Sequence, residues 1–243
     1  MTNGIKVKKR NGTIEPIALE KMHKMVEAAT DGLAGVSASQ VEIQSGIQFY
    51  DGITTQEIQE ILIRAASDLI DLDHPNYQFV AARLLLFSTR KSLYGRMKEL
   101  PHLVDHINSC VAAKVYDYGI YDAYSLEEIQ QADRWIDHER DFMFTYAGLR
   151  QVVDKYLVQD RSTGQVFETP QFMYMMIALT MFAKYPKDTR MEYVRRYYNA
   201  ISKHRINIPT PIMAGVRTPL RQFASCVLVD VDDTLDSIFT SDM

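Results

Sequence analysis

The sequence predicts a mainly α-helical protein with small β-hairpins and one buried strand near its C-terminus. Apolar residues recur at helical spacing through most of residues 19–205, and two pairs of β-prone runs are each separated by a turn signal. Residues 223–231 form an apolar run that is typical of a strand buried on both faces. The 243 residues, of which 47% are apolar and 24% charged, suffice for a core and one or two domains.

The charge balance, apolar stretches and cysteine content exclude several classes of protein. The 27 basic and 31 acidic side chains give a formal net charge of −4, so the balance does not suggest a nucleic-acid partner. The longest apolar stretch, residues 172–183, is shorter than the roughly 18 residues of a membrane-spanning helix. No signal peptide is recognisable, and two cysteines cannot form a disulfide framework. We therefore expect a reduced, cytoplasmic protein without a membrane partner.

The first 95 residues predict a hairpin followed by about four short helices. Residues 5–10 and 13–17 are β-prone, and Asn11 with Gly12 between them is the strongest two-residue turn signal. The helix signals are a periodicity from Leu19 to Gly32, the capping-box pairs Ser37 with Gln40 and Thr54 with Glu57, and a run from Asp73 to Gly95.

Residues 101–205 predict a second helical stretch with one interruption. Ser125 and Glu128 form a capping-box pair, and Thr169 with Pro170 starts a further helix, whose methionines fit pliable core filling. The interruption, residues 156–168, places β-prone residues on either side of Ser-Thr-Gly, so a second hairpin is expected there.

The C-terminal segment changes character beyond Arg205, where proline-rich sequence leads into the apolar run of residues 223–231. Asp and Thr residues at 232–234 then predict the start of a helix. A strand buried on both faces needs neighbours, and no further strand pattern follows it in the sequence. We therefore expect this segment to begin a larger sheet or barrel that something else completes.

The N-terminal hairpin is strongly basic. Its cations, with two lysines on helices that could pack against it, are Lys6, Lys8, Lys9, Arg10, Lys21 and Lys91. Cations that converge from several elements can hold a polyphosphate, whereas the alternative is a solvated basic face that protects an edge strand. Neither the GxxxxGK[ST] nor the GxGxxG motif is present, so the standard phosphate loops are excluded.

Other candidate groups are better explained as structural. His102 and His106 share one helix face at zinc-like spacing but lack a third ligand, so surface or capping histidines are expected and no metal site. The run His-Glu-Arg-Asp at residues 138–141 predicts a salt-linked turn rather than a kinase loop. Cys110 is expected to be a buried thiol. Cys226 lies in a predicted strand that leads to a loop, where α/β folds gather substrate, whereas composition alone predicts a buried structural cysteine there as well.

Several motifs together resemble the N-terminal part of the large, catalytic subunit of class I ribonucleotide reductase. They are VKKRNGTIEPI with EKMHK, YQFVAARLLLF with HERD, and IPTPIMAGVRTPLRQFASCVLV followed by DDTLDSI. The resemblance implies an ATP-cone of a hairpin and four helices at residues 1–95, a helical domain at 96–205, and the start of a ten-stranded α/β barrel at 206–243. It fades after Ile238, and the family chain is longer.

The resemblance implies an allosteric activity site in the ATP-cone, where ATP activates and dATP inhibits. The residues that would form it are Lys9, Glu15, Pro16, Ile17, Ala18, Leu19, Glu20, Lys21, Thr55 and Lys91. No metal is expected in the chain itself, although Mg²⁺ would accompany the nucleotide. Gln59 departs from the family pattern, because relatives often carry a histidine there, near the effector.

The resemblance also implies roles for the C-terminal segment in the reduction of ribonucleoside diphosphates. Thr210 and Ser225 would contact the substrate, and Cys226 would be one of two redox thiols. The residues that would begin the specificity site, where a deoxynucleoside triphosphate selects the base, are Asp233, Thr234 and Leu235.

The implied partners are the C-terminal remainder of the large subunit, a small radical-generating subunit, and thioredoxin or glutaredoxin. Because the thiyl-radical cysteine and the second redox thiol are absent from these residues, activity would require a chain that completes the barrel. One alternative is a stand-alone regulatory module that senses ATP and dATP without catalysis. Another is a nonfunctional remnant that folds poorly.

Overall fold

The computed structural model describes residues 4–46 and 48–242. Helices dominate the fold, and the described residues contain one two-stranded sheet. In chain order the elements are β1 (Lys6–Lys8), β2 (Ile14–Pro16), α1 (Leu19–Thr30), α2 (Ala38–Gly46), α3 (Thr55–Asp68), α4 (Tyr77–Tyr94), α5 (Leu103–Ala112), α6 (Gly119–Ala123), α7 (Leu126–Asp133), a 3-10 helix (His138–Met143), α8 (Tyr146–Gln151), a π-helix (Val152–Tyr156), α9 (Pro170–Phe182), α10 (Arg190–Ser202), α11 (Thr210–Gly215) and α12 (Leu235–Asp242).

The N-terminal hairpin is confirmed, but its two-residue turn is wrong. β1 and β2 pair antiparallel, with Val7 opposite Glu15. The N–H of Gly12 donates to the carbonyl of Lys9 at 2.9 Å, and Gly12 takes a left-handed φ of 84°, so three residues form the loop. The Asn11 side chain accepts the N–H of Thr13 at 3.1 Å, which favours this longer turn.

The other edge of β1 is also covered. The N–H of Lys8 donates to the carbonyl of Ile53 at 2.9 Å, and the N–H of Gly52 donates to the carbonyl of Lys6 at the same distance. The chain just before α3 therefore lies parallel to β1. β1 is thus paired on both of its edges, with β2 and with this segment, and it needs no basic face to protect an edge.

Four helices follow the hairpin, as the sequence predicts. Thr54 and Glu57 form the predicted capping box of α3, with both reciprocal hydrogen bonds present. The predicted capping box of α2 is only half formed. The main-chain N–H of Gln40 donates to Ser37 Oγ at 3.4 Å, but the side-chain oxygen of Gln40 accepts the phenol of Tyr77 instead of the N–H of Ser37. α3 and α4 pack along each other and bury most of the apolar side chains of this region.

α9 forms the centre of the second helical region. Its residues from Pro170 to Leu179 are all buried, which confirms the predicted core-filling role of Met173, Met175 and Met176. The same prediction is wrong for Met181, which lies beyond the buried stretch and is 42% exposed. Ser125 and Glu128 form the predicted capping box of α7. No helix within residues 4–46 and 48–242 is long and apolar enough to cross a membrane.

The predicted second hairpin is reduced to a loop with little strand character. Gln159 and Val166 form an isolated antiparallel bridge, and the chain reverses at Gly164, which has a φ of 72°. The predicted start of this hairpin at Tyr156 is wrong. Tyr156 is instead the last residue of a π-helical turn that continues the preceding helix.

The predicted buried strand at residues 223–231 is wrong for the structure of this chain. The segment has no regular secondary structure, and Leu228 is 98% exposed. The physical reason is the lack of a partner, since no strand among the described residues lies beside it. The helix start after it is confirmed: Thr234 Oγ1 accepts the N–H of Ser237 at 3.2 Å and caps α12.

Candidate functional site

A cavity of about 390 Å³, called the hairpin cavity below, opens between the hairpin and helices α1, α3 and α4, of which α1 and α4 carry the flanking cations Lys21 and Lys91. Of the residues predicted for the activity site, the structure brings together Lys9, Glu15, Pro16, Ile17, Ala18, Lys21, Thr55 and Lys91. Leu19 and Glu20 instead line a separate cavity between α1 and α2. They lie on another face of α1 because successive helical residues are rotated by about 100°.

Positive charge dominates one side of this cavity. Lys9 Nζ lies 2.7 Å from a carboxylate oxygen of Glu15, which holds the pKa of Glu15 below its usual range. Within the part of the chain that the structure describes, no carboxylate lies within 4.0 Å of the cationic groups of Arg10, Lys21 or Lys91. Partial desolvation, followed by repulsion from Arg10, Lys9 and Lys21, lowers the pKa of Lys91. The arrangement favours a bound polyanion.

Gln59 forms the floor of the cavity and is 5% exposed. Its carbonyl oxygen accepts Arg10 Nη2 and Ser88 Oγ, each at 3.1 Å. Its amide nitrogen lies 3.9 Å from the sulfur of Met25. Gln59 follows Thr55 by one helical turn, so the same face of α3 presents both side chains, a signal that could have marked Gln59 as a site residue.

The lining of the cavity also includes apolar side chains. Those that sequence reasoning did not assign to it are Val7, Met22, Met25 and Ile58. A flat aromatic group fits against such side chains. The lining therefore combines cations, which suit a polyanion, with apolar groups, as a nucleoside triphosphate requires.

The capping box of α3 fixes the position of Thr55. Glu57 accepts the N–H of Thr54 at 2.8 Å and the phenol of Tyr50 at 2.8 Å. Hydrogen bonds from Thr54, then from Tyr50, lower the pKa of Glu57. The start of α3 is thus held rigidly beside the hairpin.

The predicted substrate and redox residues do not form one site in this chain. Thr210 begins α11, and its hydroxyl oxygen lies 3.2 Å from that of Tyr156. Ser225 and Cys226 lie in the exposed segment before α12, with 3.8 Å between Ser225 Oγ and Cys226 Sγ. No hydrogen bond among the described residues joins them to Thr210.

The residues predicted to begin the specificity site lie at the start of α12. Thr234 is occupied in capping that helix, Leu235 is 71% exposed, and Asp233 precedes them in the loop. These residues directly follow the exposed segment, and like that segment they have no neighbouring strand among the described residues.

A buried ion pair that sequence reasoning missed anchors the segment before Cys226. Arg217 and Glu168 are both fully buried, and Arg217 Nε donates to the two carboxylate oxygens at 3.0 and 2.9 Å. Glu168 also accepts the phenol of Tyr116 and, at 2.7 Å, the N–H of Val158. Arg217 belongs to the Arg-Thr-Pro motif, and its sequence signal was a charged residue within an apolar, proline-rich segment.

His106 is buried beside this ion pair, so the predicted surface or capping role is wrong for it. Its Nε2 lies 3.0 Å from the Tyr116 hydroxyl, and its ring stacks on Phe172 at 4.1 Å. Burial lowers its pKa to about 4. Cys110 is a buried free thiol, as predicted, and His102 lies on the surface with Nδ1 2.8 Å from Asp133. No group of three metal-ligating side chains occurs among residues 4–46 and 48–242.

The run at residues 138–141 forms a salt-linked 3-10 turn, as predicted. Arg140 Nε lies 3.2 Å from Asp137, and the buried Asp141 accepts Arg90 Nη2 at 3.0 Å. Gln171 donates to the other Asp141 oxygen at 2.9 Å. Arg90 lies on α4, the helix that also lines the cavity through Lys91. The ion pair therefore connects α4 to the second helical region.

Two families match parts of the chain. Residues 5–92 match the ATP cone domain, and residues 142–221 match the family described as ribonucleotide reductase, all-alpha domain. The chain is 50% identical over 238 residues to ribonucleoside-diphosphate reductase subunit alpha of Haemophilus influenzae and to ribonucleoside-diphosphate reductase 1 subunit alpha of Escherichia coli. It is 44% identical over 236 residues to the subunit alpha of Enterobacteria phage T4.

These matches cover most of this chain but a minor share of the relatives. The Haemophilus influenzae and Escherichia coli matches take in 98% of the chain, which spans 31% of the length of either relative. The cavity with its cations falls within the ATP cone match, and Arg217 with Glu168 falls within the all-alpha match. The chain therefore belongs to the ribonucleoside-diphosphate reductase alpha-subunit family, of which it carries these two domains.

Proposed function

We propose that this chain binds ATP and dATP as allosteric effectors in the hairpin cavity. We also propose that it supplies substrate and redox residues for the reduction of ribonucleoside diphosphates, once the remainder of the large subunit completes it. The observation that carries the proposal is the convergence of Lys9, Arg10, Lys21 and Lys91 on one cavity that also has apolar lining residues. Bound phosphates would supply a counter-charge to these cations, of which Lys9 alone has a carboxylate within 4.0 Å among the described residues.

The cavity has the size and composition of a nucleotide site. Its volume of about 390 Å³ lies in the usual range for small-molecule pockets, roughly 300 to 1,000 Å³. Lys9 from the hairpin, Lys21 from α1 and Lys91 from α4 would surround the phosphates, and Met22 and Met25 would contact the base. Any Mg²⁺ would arrive on the phosphates, because the described residues hold no cluster of three metal ligands.

Calorimetric titration with ATP and dATP tests the effector site. We expect saturable binding of both nucleotides and a loss of about tenfold in affinity on Lys9→Ala, because charge-assisted hydrogen bonds contribute roughly 1.5 to 3 kcal/mol each. Lys24→Ala is the matched control, since Lys24 is an exposed lysine of α1 outside the cavity. Equal losses in both variants, or no binding in a folded protein, would contradict the proposal.

The proposed reductive role rests on the segment around Cys226. Reduction of the ribose 2′ carbon takes two electrons, which a pair of thiols supplies by forming a disulfide. Cys226 would be one of them and is exposed and free, with Ser225 beside it and Thr210 as a further substrate contact. The second thiol would come from the remainder of the subunit. Thioredoxin or glutaredoxin would reduce the disulfide in a reducing cytoplasm, and a small subunit would supply the radical.

The exposed apolar side chains of the same segment support completion by further structure. Val227, Leu228 and Val229 are 78%, 98% and 62% exposed. Neighbouring strands would cover them and pair with the backbone, so that Cys226 would come to lie in a buried strand. Asp233, Thr234 and Leu235 would then begin the specificity site.

Reconstitution with the remainder of the large subunit tests this role. We expect a stable complex that, with the small subunit and a dithiol reductant, reduces ribonucleoside diphosphates. Cys226→Ser should abolish turnover and leave ATP binding unchanged, and Cys110→Ser, which alters a buried thiol, should keep turnover. Turnover retained by Cys226→Ser would contradict the redox role. ATP binding without any complex would instead favour a stand-alone sensor of ATP and dATP.

A further inference from the structure

The hydroxyl of Thr210 has a partner that the resemblance does not assign. We propose that Tyr156 is a positioning residue, whose phenol orients the Thr210 hydroxyl toward the diphosphate of the substrate. The inference rests on the proposed substrate role of Thr210. It concerns how this chain prepares that contact before substrate arrives.

The local backbone delivers Tyr156 to Thr210. α8 widens at its end into a π-helical turn, in which the N–H of Leu157 donates to the carbonyl of Val152 at 2.9 Å. Tyr156 is the last residue of this turn, and its hydroxyl oxygen lies 3.2 Å from Thr210 Oγ1. Single π-helical turns are rare and occur often at functional sites, because the extra residue rotates the side chains that follow.

Either hydroxyl can donate in this contact, and the proposal uses the orientation in which Tyr156 donates to Thr210. Gln151 Nε2 lies 3.4 Å from the Tyr156 hydroxyl, and an amide nitrogen can only donate. When the phenol oxygen accepts that N–H, its own proton is available for Thr210 Oγ1. Thr210 then has its proton free to donate to an anion. A series of donors from Gln151 through Tyr156 to Thr210 therefore ends on a hydroxyl that suits a phosphate oxygen.

The buried guanidinium of Arg217 holds the backbone segments that carry the two hydroxyls. Arg217 Nη2 donates to the main-chain carbonyl of Tyr156 at 2.9 Å, and Arg217 Nη1 donates to the carbonyl of Met213, one turn after Thr210, at 2.5 Å. Glu168 balances the charge of Arg217. The backbones that carry the two hydroxyls are thus fixed relative to each other, and substrate binding would cost little ordering of this contact.

The test uses the complete large subunit with its small subunit and measures kcat and KM for a ribonucleoside diphosphate. Tyr156→Phe should raise KM about fivefold at unchanged kcat, as expected for one lost neutral hydrogen bond. Thr210→Val should raise KM by more, about tenfold or above, because it removes the contact to the charged group itself. Tyr146→Phe is the matched control, since no hydrogen bond of its phenol occurs among the described residues.

A double variant separates positioning from a general structural effect. If Tyr156 acts through Thr210, adding Tyr156→Phe to Thr210→Val should change KM no further. Gln151→Ala, at an exposed position, should raise KM about twofold and serves where Tyr156→Phe reduces stability. An unchanged free energy of unfolding, measured by urea denaturation followed by circular dichroism, would show that each variant remains folded.

Three outcomes would overturn the proposal. Wild-type KM in Tyr156→Phe together with raised KM in Thr210→Val would remove the role of Tyr156 and leave the proposed function intact. A full additional effect of Tyr156→Phe in the double variant would show that it acts independently of Thr210. Wild-type KM in Thr210→Val would contradict the proposed substrate role itself, and the inference with it.

Discussion

Arg90 and Lys91 are neighbours on α4, yet their charges lie in opposite settings. Arg90 is 3% exposed, and its guanidinium donates to Asp141 at 3.0 Å and to the carbonyl of His138 at 2.7 Å. Lys91 faces the hairpin cavity, where the groups that shift its pKa after desolvation are other cations. One helix therefore carries a charge that is neutralised within the fold and, beside it, a charge that is not.

The same division runs through the two helical regions. In the second region, the buried cations Arg190 and Arg217 are each paired with a carboxylate, Glu128 and Glu168. In the hairpin region, Lys9 is paired with Glu15 on the surface, and the other cavity cations are without a carboxylate among the described residues. A buried charge that loses its partner destabilises the fold strongly, whereas an exposed cation is free to bind a ligand. We propose that the buried, paired cations hold the structure and that the cations lining the cavity, including the exposed Lys9, bind the nucleotide.

The largest expected effect is on stability, from Arg217→Met. Removal of the guanidinium leaves Glu168 buried without its counter-charge, which should lower the free energy of unfolding by about 3 to 5 kcal/mol. Urea denaturation followed by circular dichroism measures the change. The double variant Glu168→Met with Arg217→Met should recover part of the loss, because no buried charge then remains. A loss below about 1 kcal/mol in Arg217→Met would contradict a structural role.

The pH dependence of stability should report on His106. Burial lowers the pKa of the folded-state imidazole to about 4 from the ordinary 6.5, so between these values the unfolded chain binds a proton that the folded chain does not. The contribution is therefore present above pH 6.5 and is lost as the pH falls toward 4, with a slope of up to about 1.4 kcal/mol per pH unit.

Comparison with His106→Gln isolates this contribution. Burial raises the pKa of Asp141 to about 6, and this carboxyl works in the opposite direction over part of the same pH range. The contribution of Asp141 is present in both proteins. It therefore cancels in the difference in unfolding free energy between wild type and His106→Gln, measured from pH 7.5 to 4. We expect wild type to lose stability relative to the variant as pH falls. Parallel curves would show that His106 is not held neutral by the fold.

A smaller effect should come from the helix cap at the edge of the cavity. Thr54→Ala removes the capping box of α3 and should cost about 1 kcal/mol of stability. Because Thr55 follows directly and lines the cavity, we expect ATP affinity to fall about threefold as well. Ser125→Ala removes the equivalent capping box of α7, outside the cavity. Ser125→Ala should cost similar stability without any change in ATP affinity. A fall in the ATP affinity of Ser125→Ala would contradict a specific role of the α3 cap at the cavity.

The elements that could be predicted from the sequence are those fixed by local chemistry. The capping boxes at Thr54 and Ser125, the helix end at Gly95 and the hairpin before α1 all depend on residues a few positions apart. The basic residues in and around the hairpin were compatible with either a polyanion site or a solvated face. The structure brings Lys9, Arg10, Lys21 and Lys91 to one cavity, whereas Lys6 and Lys8 do not line it. Whether these cations bind a polyanion or form a solvated face that protects an edge strand, however, depended on what lies beside β1.

The features that could not be predicted depend on tertiary contacts. The contact between Arg217 and Glu168 joins residues 49 positions apart, and neither residue has a local pattern that indicates a partner. His106 has the polar spacing of a surface residue, yet it packs against Phe172. The apolar run at residues 223–231 carries a correct strand pattern without a neighbouring strand among the described residues, so its propensity alone does not produce a strand.

ATP titration of Lys91→Met and Arg90→Met tests the division between structural and ligand-binding cations most directly. Both variants remove one cation from adjacent positions of α4, and the calorimetric Kd is compared with the free energy of unfolding of the same samples. We expect Lys91→Met to weaken ATP binding about tenfold at unchanged stability, and Arg90→Met to keep Kd within about twofold while it lowers stability. Wild-type affinity in Lys91→Met, or an equal loss of affinity in Arg90→Met, would contradict the account.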